Sequence, residues 1–177
     1  MPAYRGLKEV ETAIFQNIGQ LANTSLPGWY GSVVPTMGNV VLPLWQIAPR
    51  AKDGSYPRSV SLPDLPTFEE FYAAVNGGKK PSGLRYQVLR TTSDPLVAMF
   101  RVAVLPPKTG SEHVQIMRAA FVDLWKDKAF IDDYSKIVKT PPIMVSGPDA
   151  QEIVGELGKV KPEIKSFLID HIKNLVR

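Results

Sequence analysis

Pro63-Asp64-Leu65-Pro66-Thr67-Phe68-Glu69-Glu70-Phe71-Tyr72 forces a corner on whatever fold contains it. Thr67 and Glu70 have the spacing of a capping box: the hydroxyl accepts from the amide three residues on, and the carboxylate reaches back to the cap amide. Pro66 keeps Leu65 out of the helical region, so the chain must arrive extended. Leu65 is then placed to pack on Phe71 as a hydrophobic staple. A helix over residues 68–75 follows, and Asn76-Gly77-Gly78 stops it.

The sixteen prolines fall at segment boundaries in the same way, so they punctuate the chain. Val10, Ile14 and Ile18 recur at helical spacing over residues 7–20. Residues 21–25 read as a short strand closed by Leu26-Pro27-Gly28, and residues 29–37 are ambiguous, with a short helix as one reading. The apolar, β-branched run at 40–47 predicts a buried strand, although Pro43 argues against a central position in a sheet. Residues 48–62 show no periodicity. A helix restarts at Pro81-Ser82-Gly83 and carries Leu84, Val88 and Leu89. Phe100, Val102 and Val104 alternate with Arg101 and Ala103, predicting a strand over 99–105 that Pro106-Pro107 ends.

Thr109 and Glu112 have the spacing of a second capping box, opening a helix with Val114, Met117, Phe121 and Leu124 on its core face. Asp127 caps the next helix, which holds Phe130, Ile131 and Tyr134. Residues 141–145 read as an edge strand, Ser146 starts a final helical pair, and Pro162 splits it. Strands alternating with helices imply an α/β layer architecture with a largely parallel sheet. About four strands for six or seven helices leaves the helices over 146–175 short of a sheet to cover, so they are expected to pack on something outside a minimal lobe.

The chemistry-bearing side chains are few. There is no cysteine, which removes disulfides, thiolate metal sites and cysteine nucleophiles. His113 and His171 have no metal-ligand spacing between them and read as a solvated helix residue and a core-edge residue. Glu69-Glu70 and Asp132-Asp133 are adjacent, so on a helix they diverge and read as capping or solvated charges. No nucleophile elbow, phosphate loop or dinucleotide fingerprint occurs, so no catalytic residue, metal or cofactor is assigned. The net charge of +4 is spread along the chain, with no basic stripe interleaved with aromatics of the kind nucleic acid requires. No apolar run approaches membrane-spanning length, and residues 1–20 lack the pattern of a signal peptide.

Anion binding by backbone amides is what remains. The Tyr4-Arg5-Gly6 turn leads into the first helix, whose free N–H groups favour a carboxylate, and Asn23, Thr24 and Ser25 could add side-chain donors from the end of the 21–25 strand. The alternative, favoured on these physical grounds alone, is that all of them are ordinary turn and cap residues.

Tyr4-Arg5-Gly6 before a helix, then Arg58 through Leu62-Pro63-Asp64-Leu65-Pro66-Thr67-Phe68-Glu69-Glu70, then Val104-Leu105-Pro106-Pro107-Lys108-Thr109, occur in an order that resembles the solute receptors of tripartite tricarboxylate transporters, the TctC or Bug-type periplasmic binding proteins. Asp127-Lys128-Ala129-Phe130 and the tail from Ser146-Gly147-Pro148 resemble later steps of the same family. The resemblance covers essentially the whole chain and about the C-terminal half of the family. It implies a type II periplasmic-binding-protein-like α/β lobe with C-terminal helices. Residues 1–105 would form the second-lobe segment with its corner at 63–72, and residues 106–177 the helical segment that returns to the first lobe. It further implies a periplasmic receptor fragment for a small carboxylated solute, working with membrane transporter subunits and without cofactor or catalysis. Ser111, where proline is usual, and the lack of an acidic residue in 21–25 depart from the family pattern. The alternative function, of a different class, is a truncated structural module that binds no solute and self-associates through its orphaned helices.

Overall fold

The structure, a computed structural model, describes residues 6–175. It is a helical protein: helices account for 55% of it, and the α/β lobe expected from the sequence is not formed. Among the described residues β pairing amounts to one isolated parallel bridge, Gln46 with Thr67. The predicted strands at 21–25, 40–47, 99–105 and 141–145 carry no ladder. Three of them contain or abut proline, Pro43, Pro106-Pro107 and Pro141-Pro142, and Pro27 lies two residues past the first. Proline has no N–H to give a ladder, so apolar runs beside it here mark connecting chain without pairing it. Val40, Leu42, Val102 and Val104 are all more than half exposed.

The chain divides into two units, the first running to Leu42 and including Asp123–Ile143, the second comprising Pro43–Val122 and Met144–Arg177. In the first unit, α1 (Leu7–Phe15) starts at Gly6, whose carbonyl accepts from the amides of Glu9 and Val10. Next, α2 (Leu26–Gly28) is capped by Ser25, whose hydroxyl accepts from the Gly28 amide at 3.2 Å. A π-helical stretch, Trp29–Val33, then leads into α3 (Val34–Met37). Pro35 lacks the amide that a regular helix would bond to Gly31, and widening the preceding turn relieves the ring's clash with that carbonyl. Ala13, Val33 and Met37 are buried here. Further along, α7 (Lys128–Val138) begins at Asp127, whose carboxylate accepts from the amides of Ala129 and Phe130. Lys139 ends it in the left-handed region.

The second unit is built on the corner. α4 (Phe68–Val75) has the complete capping box: the Thr67 amide donates to Glu70 Oε2 at 2.8 Å, and Thr67 Oγ1 accepts from the Glu70 amide at 3.3 Å. The ring beside Phe71 is Trp45, 4.9 Å between centroids. The stop follows the expected pattern, with Gly77 and Gly78 at positive φ and the Gly78 amide closing back on the Ala73 carbonyl.

Gln46 ties the corner to the loop before it. Its main chain pairs with Pro66 and Phe68, its side-chain oxygen accepts from the Ser59 amide, and its side-chain nitrogen donates to the carbonyls of Leu62 and Leu65. α5 (Gly83–Ala98) comes next, then α6 (Ser111–Leu124). The second capping box is not made: the Thr109 hydroxyl donates to the Pro106 carbonyl, and α6 begins from the Gly110 carbonyl instead. Met117 and Phe121, expected in the core, are exposed. α8 (Gly147–Leu157), capped by Ser146, and α9 (Pro162–Leu175) lie against α5 of the same unit. Val88 of α5 and Ile164 of α9 are buried.

Candidate functional site

Of the residues singled out for anion binding, Tyr4 and Arg5 lie outside the described residues. Gly6 is exposed at the start of α1, and no hydrogen bond among the described residues joins it to Asn23, Thr24 or Ser25. Ser25 is used locally as the α2 cap, Thr24 points its hydroxyl at the Ser25 carbonyl at 3.5 Å, and Asn23 is exposed. The 21–25 segment that was to orient the last three is not a strand.

The densest polar arrangement lies in the second unit, around Arg90 in the middle of α5. Its side chain is 7% exposed and runs between two carboxylates. Nε donates to Glu69 Oε1 at 2.8 Å, Nη2 donates to the same oxygen, and Nη1 reaches Asp94 Oδ1 and the Ala48 carbonyl, both at 3.3 Å. The guanidinium lies over the Tyr56 ring, 3.6 Å from its centroid. Tyr56 donates to Asp94 Oδ2 at 2.9 Å, and Tyr86 donates to Glu69 Oε1 at 2.6 Å. Tyr86, Arg90 and Asp94 stand four apart on one face of α5, and α4 brings Glu69 to meet them.

The two carboxylates are driven in opposite directions. Burial pushes Glu69 up, but hydrogen bonds from Arg90 and Tyr86 outweigh it and hold the group below the usual carboxylate range. Burial pushes Asp94 up, and Tyr56 and Arg90 only partly offset it. Tyr56 is raised as well, by burial and by its bond to Asp94. Such a split can mark an acid and base pair. Here each donor atom has an internal partner, which makes the cluster a tie between the loop at 48–56, α4 and α5. Glu69 Oε2 is buried without a hydrogen-bond partner among the described residues. Sequence reasoning placed Glu69 among solvated or capping charges; the spacing of Tyr86, Arg90 and Asp94 was the available signal of an internal network.

The same helix then runs out into the opposite kind of environment. Past Pro95, Leu96 is 62% exposed, and beyond the helix end Phe100, Val102, Val104 and Leu105 are exposed in turn, Val104 at 83%. Among the described residues no hydrogen bond is made by the backbone amides or carbonyls of residues 102–105. Arg101 folds back on its neighbour, its guanidinium 4.2 Å from the Phe100 ring centroid and donating to the Phe100 carbonyl. Pro106 closes the run. On α6, Met117 and Phe121 form an exposed apolar pair four residues apart.

Among the described residues no group of three His, Asp or Glu side chains could hold a metal ion, and no helix is long and apolar enough to cross a membrane. His171 stacks on Phe167 within α9. Comparison with protein-family models, with curated proteins and with solved structures finds no match to this chain.

Proposed function

We propose that this chain is a non-catalytic interaction module that associates with a second copy of itself through residues 100–105. The observation that carries this is the apolar run at 100–105, whose side chains are exposed and whose backbone groups are unpaired over residues 102–105. Unpaired backbone flanked by alternating apolar side chains is a template for another strand. The run suits its own copy. In an antiparallel pair centred on Val102, Phe100 faces Val104 and Arg101 faces Ala103, so one face is wholly apolar and the two guanidinium groups do not oppose each other. A two-stranded ribbon is marginal alone, and the exposed Met117 and Phe121 are apolar surface with which a dimer could cover it.

Sedimentation of the full chain at about 100 µM tests this. The expected result is a dimer that Val102→Lys with Val104→Lys converts to monomer, with helical circular dichroism retained. A wild-type monomer at that concentration, or a dimer indifferent to both substitutions, would sink the proposal.

A second reading, a periplasmic receptor fragment for small carboxylates serving a tripartite tricarboxylate transporter, is favoured by one observation: the residues that carry the resemblance at 63–70 are built as a capped corner and held by Gln46 and Arg58. Its test is a thermal-shift panel of di- and tricarboxylates and aromatic acids, in which a concentration-dependent rise in Tm would support it and a flat panel would remove it.

A further inference from the structure

Within the first unit, α1 and the helical stretch after α2 flank an open cleft of about 440 Å³ lined by Lys8, Glu11, Thr12, Phe15, Ser32 and Thr36 with Gln16. The α1 residues fall at the spacing of a single helix face, and Ser32 and Thr36 do the same on the opposite wall. The three hydroxyls of this cleft share one orientation. Thr12 donates its hydroxyl proton to the Lys8 carbonyl at 2.9 Å, Thr36 donates to the Ser32 carbonyl at 2.7 Å, and Ser32 donates to Glu11 Oε1 at 2.6 Å. A hydroxyl has one proton and two lone pairs, so with these protons spent the remaining capacity is acceptor capacity. Glu11 adds a carboxylate that forms no ion pair among the described residues. Phe15, 61% exposed, supplies an aromatic wall.

From this geometry we infer that the cleft is a binding site for a small organic ammonium ion carrying an apolar body, an aryl- or alkylamine. The ammonium protons bond to Glu11 and to the hydroxyl lone pairs of Ser32 and Thr36, and the apolar body lies on Phe15. Lys8 and Glu11 balance in charge, and it is the spent hydroxyl protons that set this cleft apart from the carboxylate site read from the sequence. Lys8 supplies positive charge within the cleft, but the hydroxyl protons that would solvate a carboxylate beside it are already committed. The site is independent of the association proposed above, because it lies in the other unit and uses none of residues 100–105.

Titration calorimetry of the full chain with phenethylammonium chloride, and separately with sodium 3-phenylpropionate, tests the inference, because the two probes share a ring and chain length and differ in the sign of their charge. The expected result is saturable binding of the amine below about 10 mM and none of the acid. Glu11→Gln should weaken amine binding roughly tenfold, and Thr36→Val should weaken it less. The two variants act on opposite walls, so one remains informative if the other folds poorly. Binding of the acid equal to that of the amine, unchanged amine affinity in a folded Glu11→Gln protein, or no amine binding up to about 10 mM would each overturn it.

Discussion

One helix, α5, passes through two contrasting environments. At its middle, Arg90 is buried with its donors matched to acceptors; just beyond its end, the run from Phe100 to Leu105 is exposed, with the backbone of residues 102–105 unbonded. Sequence hydrophobicity ranks the two stretches the wrong way round. The buried site is the charged one, because Glu69, Asp94, Tyr56 and Tyr86 surround the guanidinium and compensate it. The apolar run is outside because no segment among the described residues supplies a matching strand. Burial is therefore decided by whether partners are present, and apolar character alone does not secure it.

If that contrast is right, substitutions at the middle of α5 should be costly and substitutions beyond its end nearly silent for folding. Arg90→Ala should have the largest effect, about 3 kcal/mol in urea unfolding, because it leaves Glu69 and Asp94 without their cation. A loss well under 1 kcal/mol would show that the cluster is as weak as a surface ion pair and would erase the contrast. Thr67→Ala removes the cap at a buried position and should cost about 1–2 kcal/mol, read the same way.

The two carboxylates sharpen the comparison through pH. Glu69 titrates lower in the folded chain than in the unfolded one, so its contribution is present above the unfolded value and lost as pH falls through the folded one. Asp94 is raised, so its contribution is present below the unfolded value and lost as pH rises through the folded one. Stability between about pH 6 and pH 3 should thus fall less steeply in Glu69→Gln and more steeply in Asp94→Asn than in the parent. Parallel curves for all three would contradict the opposed shifts. The smallest effect belongs to Val104→Thr, expected within about 0.5 kcal/mol of the parent in unfolding.

What could be read from the residues was whatever depends on neighbours in sequence. The Thr67 and Glu70 box, the Asn76-Gly77-Gly78 stop, the Asp127 and Ser146 caps and the break at Pro162 all form as expected, since each is settled within one helical turn. The second box failed within the same range, because α6 starts at Ser111 with Gly110 before it, which leaves Thr109 one residue outside the cap position with its hydroxyl turned back to the Pro106 carbonyl. The predicted sheet failed for a different reason. The apolar run at 40–47 and the alternation at 99–105 carry no information about which other segment pairs with them, and Pro43 had already removed one ladder donor. Of the candidate anion site, Ser25 was legible as a cap. The cleft on α1 was not, since it needs Ser32 brought to Glu11 across more than one element.

Gln46 gives the residues around 59–65 a property that their lack of periodicity hides. Its side chain holds the Ser59 amide and the Leu62 and Leu65 carbonyls while its main chain holds Phe68, so loop and helix start cannot open separately without breaking the same residue's bonds. In hydrogen–deuterium exchange the amides of Ser59 and Phe68 should therefore exchange together, as one opening event, at the rate set by α4. Gln46→Leu, which removes the acceptor of the Ser59 amide and both side-chain donors but keeps the main-chain bond to Phe68, should uncouple them, and a stretch that looks like connecting chain would then behave as one.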